Sequence, residues 1–232
     1  MKTKGLVPRI WRTLKKILLI LLIFQFIYII LLKWVDPPVT LTQLGSLLTG
    51  HGLTRDYVAY DEMPASVKLA VIAAEDQLFA DHSGFDWKSI EKAMAYNKRK
   101  PNRVRGASTI SQQVAKNVFL WQGRSWIRKG LETYFTFMIE LIWGKRRILE
   151  MYLNVAEMGD GIFGIEAAAR KNYKKPALKI TRQQAAMVAA CLPNPKKYTV
   201  MPPSRYTITR CPWILRQMNN LQRDADIQKI IN

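Results

Sequence analysis

Apolar residues follow two different patterns along the chain. From Ile17 to Leu32 they run as ILLILLIFQFIYIILL, with Gln25 the only strongly polar side chain. With Trp34 and Val35 the run reaches the roughly 18–20 residues that a membrane-spanning helix needs. Further on, apolar positions recur at the three- and four-residue spacing of amphipathic helices. Val67, Val71, Ala74 and Leu78 share one face and predict a helix over 64–80. Asp86 can cap a helix carrying Ile90, Ala93, Met94 and Asn97. Thr109 with Gln112 fits a capping box for a helix to about Phe119, and Thr181 with Gln184 repeats it before AAMVAAC, which LPNP ends. Ser125 can cap a long helix through Trp143. Shorter helices are expected over 146–156 and 163–173, and a last one around Trp213, Ile214, Met218 and Leu221. Strand signals are few and internal repeats absent, so the predicted fold class is mainly α.

Charge then sets the topology. Lys2, Lys4, Arg9, Arg12, Lys15 and Lys16 precede the apolar run with no acid among them, a bias that holds the N-terminus in the cytoplasm. No small-residue cleavage site follows the run, which continues as WVDPPVT. The expected organisation is a basic cytoplasmic tail (1–16), a transmembrane signal anchor (17–35), a linker (36–52), a main domain (53–205) and a C-terminal helix (206–232). The formal charge of the chain is +19, and setting the six N-terminal cations aside leaves +13. Outside the cytoplasm that charge excludes nucleic acid as a natural partner and suits anionic head groups or an anionic lipid-linked substrate. Two cysteines, Cys191 and Cys211, make no disulfide framework.

The chemistry lies in polar residues set against apolar helix faces. Glu75 and Asp76 stand side by side in the 64–80 pattern, with His82 and Gly84 shortly after. Thr109, Gln113 and Lys116 form one polar stripe, and Arg128 and Glu132 lie one turn apart. Each has a plain reading as well: an exposed acidic pair, a helix-end histidine, an intrahelical salt bridge.

Five segments taken together carry a resemblance. EDQLFADHSG (75–84), RGASTISQQVAKN (105–117), RKGLE (128–132), KRRILEMYLN (145–154) and GIFGIEAAARKNY (161–173) closely resemble, in order, the motifs of the peptidoglycan glycosyltransferases. That is the lysozyme-like catalytic module also found in class A penicillin-binding proteins. The resemblance covers roughly residues 53–205 and points to members with this module alone behind one anchor. Ser89 and Lys92 match S-x-x-K by spacing, but no K-T-G or S-D-N follows, so a transpeptidase is not indicated.

The resemblance implies polymerisation of lipid II into glycan strands for the cell wall. The acceptor's GlcNAc 4-hydroxyl attacks MurNAc C1 of the growing chain, with inversion and release of undecaprenyl diphosphate. It makes Glu75 the general base, with Asp76 supporting it or binding acceptor and His82 shaping the motif. Glu132 matches the second glutamate, assisting at the donor diphosphate through cations or a divalent metal, Mg or Mn. Lys116 and Arg128 hold that diphosphate, and Thr109, Gln113 and Asn117 line the donor cleft. Glu150, Tyr152 and Asn154 are expected to be structural, while Lys145, Arg146 and Arg147 meet phosphate or solvent. The implied location is the inner (cytoplasmic) membrane, single-pass, with the catalytic domain periplasmic. Cell-division or other cell-wall synthesis proteins are the protein partners in view. Two other classes remain: a membrane-anchored lysozyme-like lytic glycosidase, and a non-enzymatic cell-wall scaffold. The topology has a direct check. A reporter active only outside the cytoplasm, fused after Asn232, is expected to be active; a silent one would reverse the orientation.

Overall fold

The computed structural model describes residues 6–100, 106–123 and 125–232. Lys2, Lys4, most of the basic loop 98–106 and Arg105 of the second motif lie outside them. The chain divides into two units, Met1–Pro37 and Pro38–Asn232. In the first, α1 spans Leu6–Leu31, so the cations from Arg9 to Lys16 lie on the helix itself. Its segment Pro8–Leu31, 24 residues, is long and apolar enough to cross a membrane. At 1.5 Å per residue it reaches about 36 Å, against a hydrocarbon core of about 30 Å.

The second unit holds ten further helices among the described residues: α2 (Leu41–Leu48), α3 (Ala65–Glu75), α4 (Trp87–Arg99), α5 (Ile110–Phe119), α6 (Trp126–Ile142), α7 (Lys145–Val155), α8 (Ile165–Tyr173), α9 (Arg182–Cys191), α10 (Arg205–Leu221) and α11 (Ala225–Ile231). The mainly α expectation is met. A small sheet of β1 (Thr54–Arg55), β2 (Glu157–Gly159) and β3 (Ile162–Phe163) runs in the order β1-β3-β2, with β1 parallel and β2 antiparallel to β3.

The core is built on α3, where Val67–Ala73 are all buried. A helix apolar on every side must be covered on every side. Helices α9, α10 and α11 pack on it. The buried face of α9 is nearly all alanine, with Val188 and Cys191, which lets the helix axes approach closely. Helix α5 packs on α6 and α7. Both cysteines are buried free thiols, and burial pushes the Cys191 thiol up to about 12.

Three features differ from the sequence reading. The helix expected over 64–80 stops at Glu75, because Asp76 leaves helical geometry at φ −159°, ψ 78°. Its carboxylate turns instead to the start of α5, accepting from Ile110 N at 2.9 Å. Gly84 lies well beyond that end. Its φ of +90° and a site only 2.8 Å from Thr136 Cγ2 leave no room for a side chain against α6. The stretch read as linker folds as α2, closed by a capping box of Thr40 and Gln43, and packs on α5. The last helix is two: Asp224 accepts from Asp226 N and Ile227 N and starts α11. Buried Lys68 and Tyr60 then hold α11 by donating to the carbonyls of Ile231 and Ile230.

Two polar residues of the fourth motif serve the scaffold. Fully buried Asn154 pairs with both backbone groups of Val58, at 3.1 Å each way. Glu150 accepts from Tyr60 N at 3.0 Å and from Arg147 at 2.8 Å. Asn154→Ala would leave two backbone groups without partners. It should destabilise the fold by roughly 1–3 kcal/mol for each group that water does not reach, read as a lower urea midpoint at unchanged slope.

Candidate active site

Two hollows meet on one side of this core, sharing Gln113 and Pro193. The larger, about 970 Å³, exposes Glu75, Asp86, Ser89, Lys92, Arg210 and Trp213 on its walls. The smaller, about 200 Å³, is lined by Lys116, Asn117, Tyr152 and Glu157 among others. Helix ends and capping residues fix these side chains.

Glu75 is the last residue of α3, and its Oε2 accepts from Gln113 Nε2 at 2.8 Å. Gln113 Oε1 accepts in turn from the Tyr152 hydroxyl at 3.2 Å. Burial is the largest influence on the Glu75 carboxyl and pushes its pKa above the ordinary glutamate range, and Asp76 adds to this. The Gln113 hydrogen bond and the charges of Arg210 and Lys116 oppose it. A general base works best with a pKa near the working pH, and burial moves Glu75 in that direction.

Asp76 is buried, and both its oxygens are engaged: Ile110 N at 2.9 Å, and His82 Nε2 at 3.0 and 3.2 Å. An anion at the first amide of α5 also meets the positive end of its dipole. His82 Nδ1 accepts from Gly84 N at 3.2 Å, so Nε2 carries the proton toward Asp76. Thr109 is occupied likewise. Its hydroxyl donates to Gly84 O at 2.7 Å and accepts from Gln112 N. Asp76, His82 and Thr109 thus tie the first motif to the start of α5.

The other predicted residues gather along α5 and α6. Glu132 is only 3% exposed, and its two oxygens meet Arg128 Nη1 at 2.8 Å and Lys129 Nζ at 2.5 Å. Lys129 was not singled out in the sequence, where its exposed-looking position gave no signal. The Arg128–Glu132 contact is an intrahelical pair, as the plain reading had it, but it is buried. Breaking a buried pair costs far more than breaking an exposed one. Arg128 Nε is buried without a hydrogen-bond partner. Burial pulls the Lys116 pKa down, and Arg128 and Lys129 add to this while Glu132 and Glu75 resist it. Three cations around one carboxylate, with an orphaned donor, form a site short of negative charge.

Two further residues escaped the motif-based reading. Arg210 and Trp213 lie on α10, beyond the fifth motif, with the guanidinium 3.6 Å from the indole centroid. Their one-turn spacing beside Pro212 gave no hint that they face Glu75. Ser89 and Lys92 also reach the larger hollow, and the Ser89 amide donates to Asp86 at 2.9 Å. A resident divalent metal does not fit the residues present. Among the described residues no three His, Cys, Asp or Glu side chains converge. Both oxygens of Glu132 are already held by cations.

With this geometry stands a family match: residues 42–219 fit the transglycosylase family model. The chain belongs to the transglycosylase family. Similar proteins include biosynthetic peptidoglycan transglycosylases of Escherichia coli and Shigella sonnei, each 58% identical over 174 residues, 75% of this chain and 72% of theirs. The one from Yersinia pseudotuberculosis is 56% identical over 190 residues, 81% of this chain and 79% of its own.

The raised Glu75 pKa has a stability consequence with a definite sign. A glutamate whose folded pKa exceeds its unfolded value favours the fold fully only below the unfolded value, near 4.5. That contribution is lost as pH rises through the folded pKa. Glu75→Gln removes the cost of the buried charge, so its melting temperature at pH 7 should equal or exceed that of the unaltered protein. The gap should close as pH falls toward the ordinary glutamate range. A variant clearly less stable at pH 7 would contradict the assignment.

Proposed function

We infer that the protein is a peptidoglycan glycosyltransferase that polymerises lipid II, with Glu75 as general base and Lys116, Arg128 and Lys129 as counter-charge for the departing diphosphate. The observation that carries this reading is the adjacency of the two hollows. A poised carboxylate lies in one, an under-neutralised cationic cluster borders the other, and Gln113 belongs to both.

The acceptor's GlcNAc 4-hydroxyl enters the larger hollow and gives its proton to Glu75 Oε as the oxygen attacks MurNAc C1 of the growing chain. The bond from C1 to the diphosphate oxygen breaks on the opposite face, so the configuration inverts and a β-1,4 link forms. Undecaprenyl diphosphate leaves carrying the electron pair. Lys116 and Arg128 Nε receive its charge in a site largely shut from water, where fixed positive groups act strongly. Glu132 holds Arg128 and Lys129 in place. No step runs through a metal ion.

This distinguishes transfer from lysis. A glycosidase must protonate a poor leaving group, which calls for a carboxylic acid at the scissile oxygen. Both oxygens of Glu132 are taken up by Arg128 and Lys129, so neither is presented to a scissile oxygen. A diphosphate needs no proton. A non-enzymatic scaffold would not need the buried charges at all.

Membrane association fits the surface as well as α1. Helix α6 leaves Trp126, Ile127, Phe137 and Leu141 exposed, and α2 leaves Leu47 and Leu48 so. Apolar side chains on a basic domain suit a lipid boundary and a lipid-linked substrate. The orientation we propose is N-terminus cytoplasmic and catalytic unit periplasmic, at the inner membrane, where other cell-wall or division proteins would be neighbours.

The test is polymerisation of labelled lipid II by the detergent-solubilised full chain. Glu75→Gln should lower turnover by roughly 10²–10⁴ while binding of a phosphoglycolipid donor mimic survives. Lys116→Ala and Arg128→Ala should weaken both. Near-normal polymer from Glu75→Gln would remove the base from its role, and glycan cleavage in place of polymer would favour the lytic reading.

A further inference from the structure

Glu75 and Gln113 face each other across the meeting point of the two hollows, and the amide of Gln113 presents chemically opposite ends. Its NH2 donates to Glu75 Oε2 at 2.8 Å, while its carbonyl accepts from the Tyr152 hydroxyl at 3.2 Å. Tyr152 is 1% exposed on α7, and its ring is fixed by the surrounding core. Turned over, the amide would set its carbonyl against Glu75, an arrangement that only a protonated carboxyl tolerates. We propose that Tyr152 is a positioning residue for the reaction: its hydroxyl fixes the Gln113 amide so that the donor end faces the base. This rests on the reading of Glu75 as that base.

A phenolic hydroxyl donates better than it accepts, because its oxygen lone pair is shared with the ring. The buried Tyr152 stays neutral, since burial, together with the charges of Glu75 and Asp76, raises its pKa well above 10. It can therefore act as a lasting donor at every pH at which the enzyme works. Other groups also act on Glu75. Asp76 follows it in the chain, Lys116 reaches it from α5, and Arg210 and Tyr206 reach it from α10. The buried face of α9 carries no carboxylate or cation. Among the described residues Gln113 bonds the carboxylate directly, and Tyr152 bonds Gln113 from behind.

Without the hydroxyl, the amide is free to turn, and a protonated Glu75 gains a partner that the ionised form loses. The base then needs a higher pH to ionise. Polymerisation of lipid II by the full-chain Tyr152→Phe variant, measured across pH, should keep its KM and its high-pH plateau within about twofold. Its acid limb should move up by about 0.5–1 pH unit. An unmoved limb, or a loss equal at all pH values, would overturn the proposal. Gln113→Leu removes the amide altogether. Its acid limb should rise at least as far, and adding Tyr152→Phe in that background should move it no further. A further rise on that addition would equally overturn the coupling. Glu75→Gln measured alongside separates the two levels. Retained turnover there would defeat the assignment of the base, whereas an inactive Glu75→Gln with an unmoved Tyr152→Phe limb would defeat this inference alone.

Discussion

The catalytic side of the molecule depends on one carboxylate, that of Asp76. It accepts from the first amide of α5 and from His82. Through it the end of α3 and the beginning of α5 become one joint. Glu75 precedes the joint by one residue and Gln113 follows Ile110 by one turn. Their 2.8 Å contact is a direct outcome of how the two helices are tied. The same tie explains why α3 ends where it does. A continued helix would have carried Asp76 away from α5, and the orphan amides there would lack their partner. Thr109 and Gly84 reinforce the joint from the other side.

The second centre follows a different logic. Glu132 is buried against Arg128 while Lys129 reaches it from the more open side, an arrangement that gives little net stability on its own. It makes sense as a way to keep Arg128 and Lys129 rigid beside Lys116 when no substrate is bound. Fixed charges need no rearrangement when a diphosphate develops charge, and that is where preorganisation counts.

Much of this was legible in the sequence. Capping boxes at Thr109 and Thr181 and single caps at Asp86 and Ser125 stand where their spacing placed them. These signals are local, and local hydrogen bonding decides them. The end of α3 was misjudged because Leu78 and Phe79 prolong the apolar period past it. The contact that stops the helix comes from Ile110, 34 positions away, which no period can register. Helix α2 spans only Leu41–Leu48, too short for an apolar period to register, although Thr40 and Gln43 spell the same box. The members of the site could be named from motifs. Which of them face the hollows, and which are spent on holding others, depends on tertiary contacts. Asp76 and Thr109 do both, lining the larger hollow while their side chains hold Ile110, His82 and Gly84; Glu75 and Lys116 face the hollows.

Helix α10 gives the domain a boundary that its motifs do not mark. It follows the fifth motif by more than thirty residues, yet it packs on α3 and α9 and carries Arg210 and Trp213 into the hollow beside Glu75. A portable version of this catalytic module, moved onto another anchor, must therefore carry the chain through Leu221. A shorter graft would hold every signature segment and still lack one wall of its own reaction chamber.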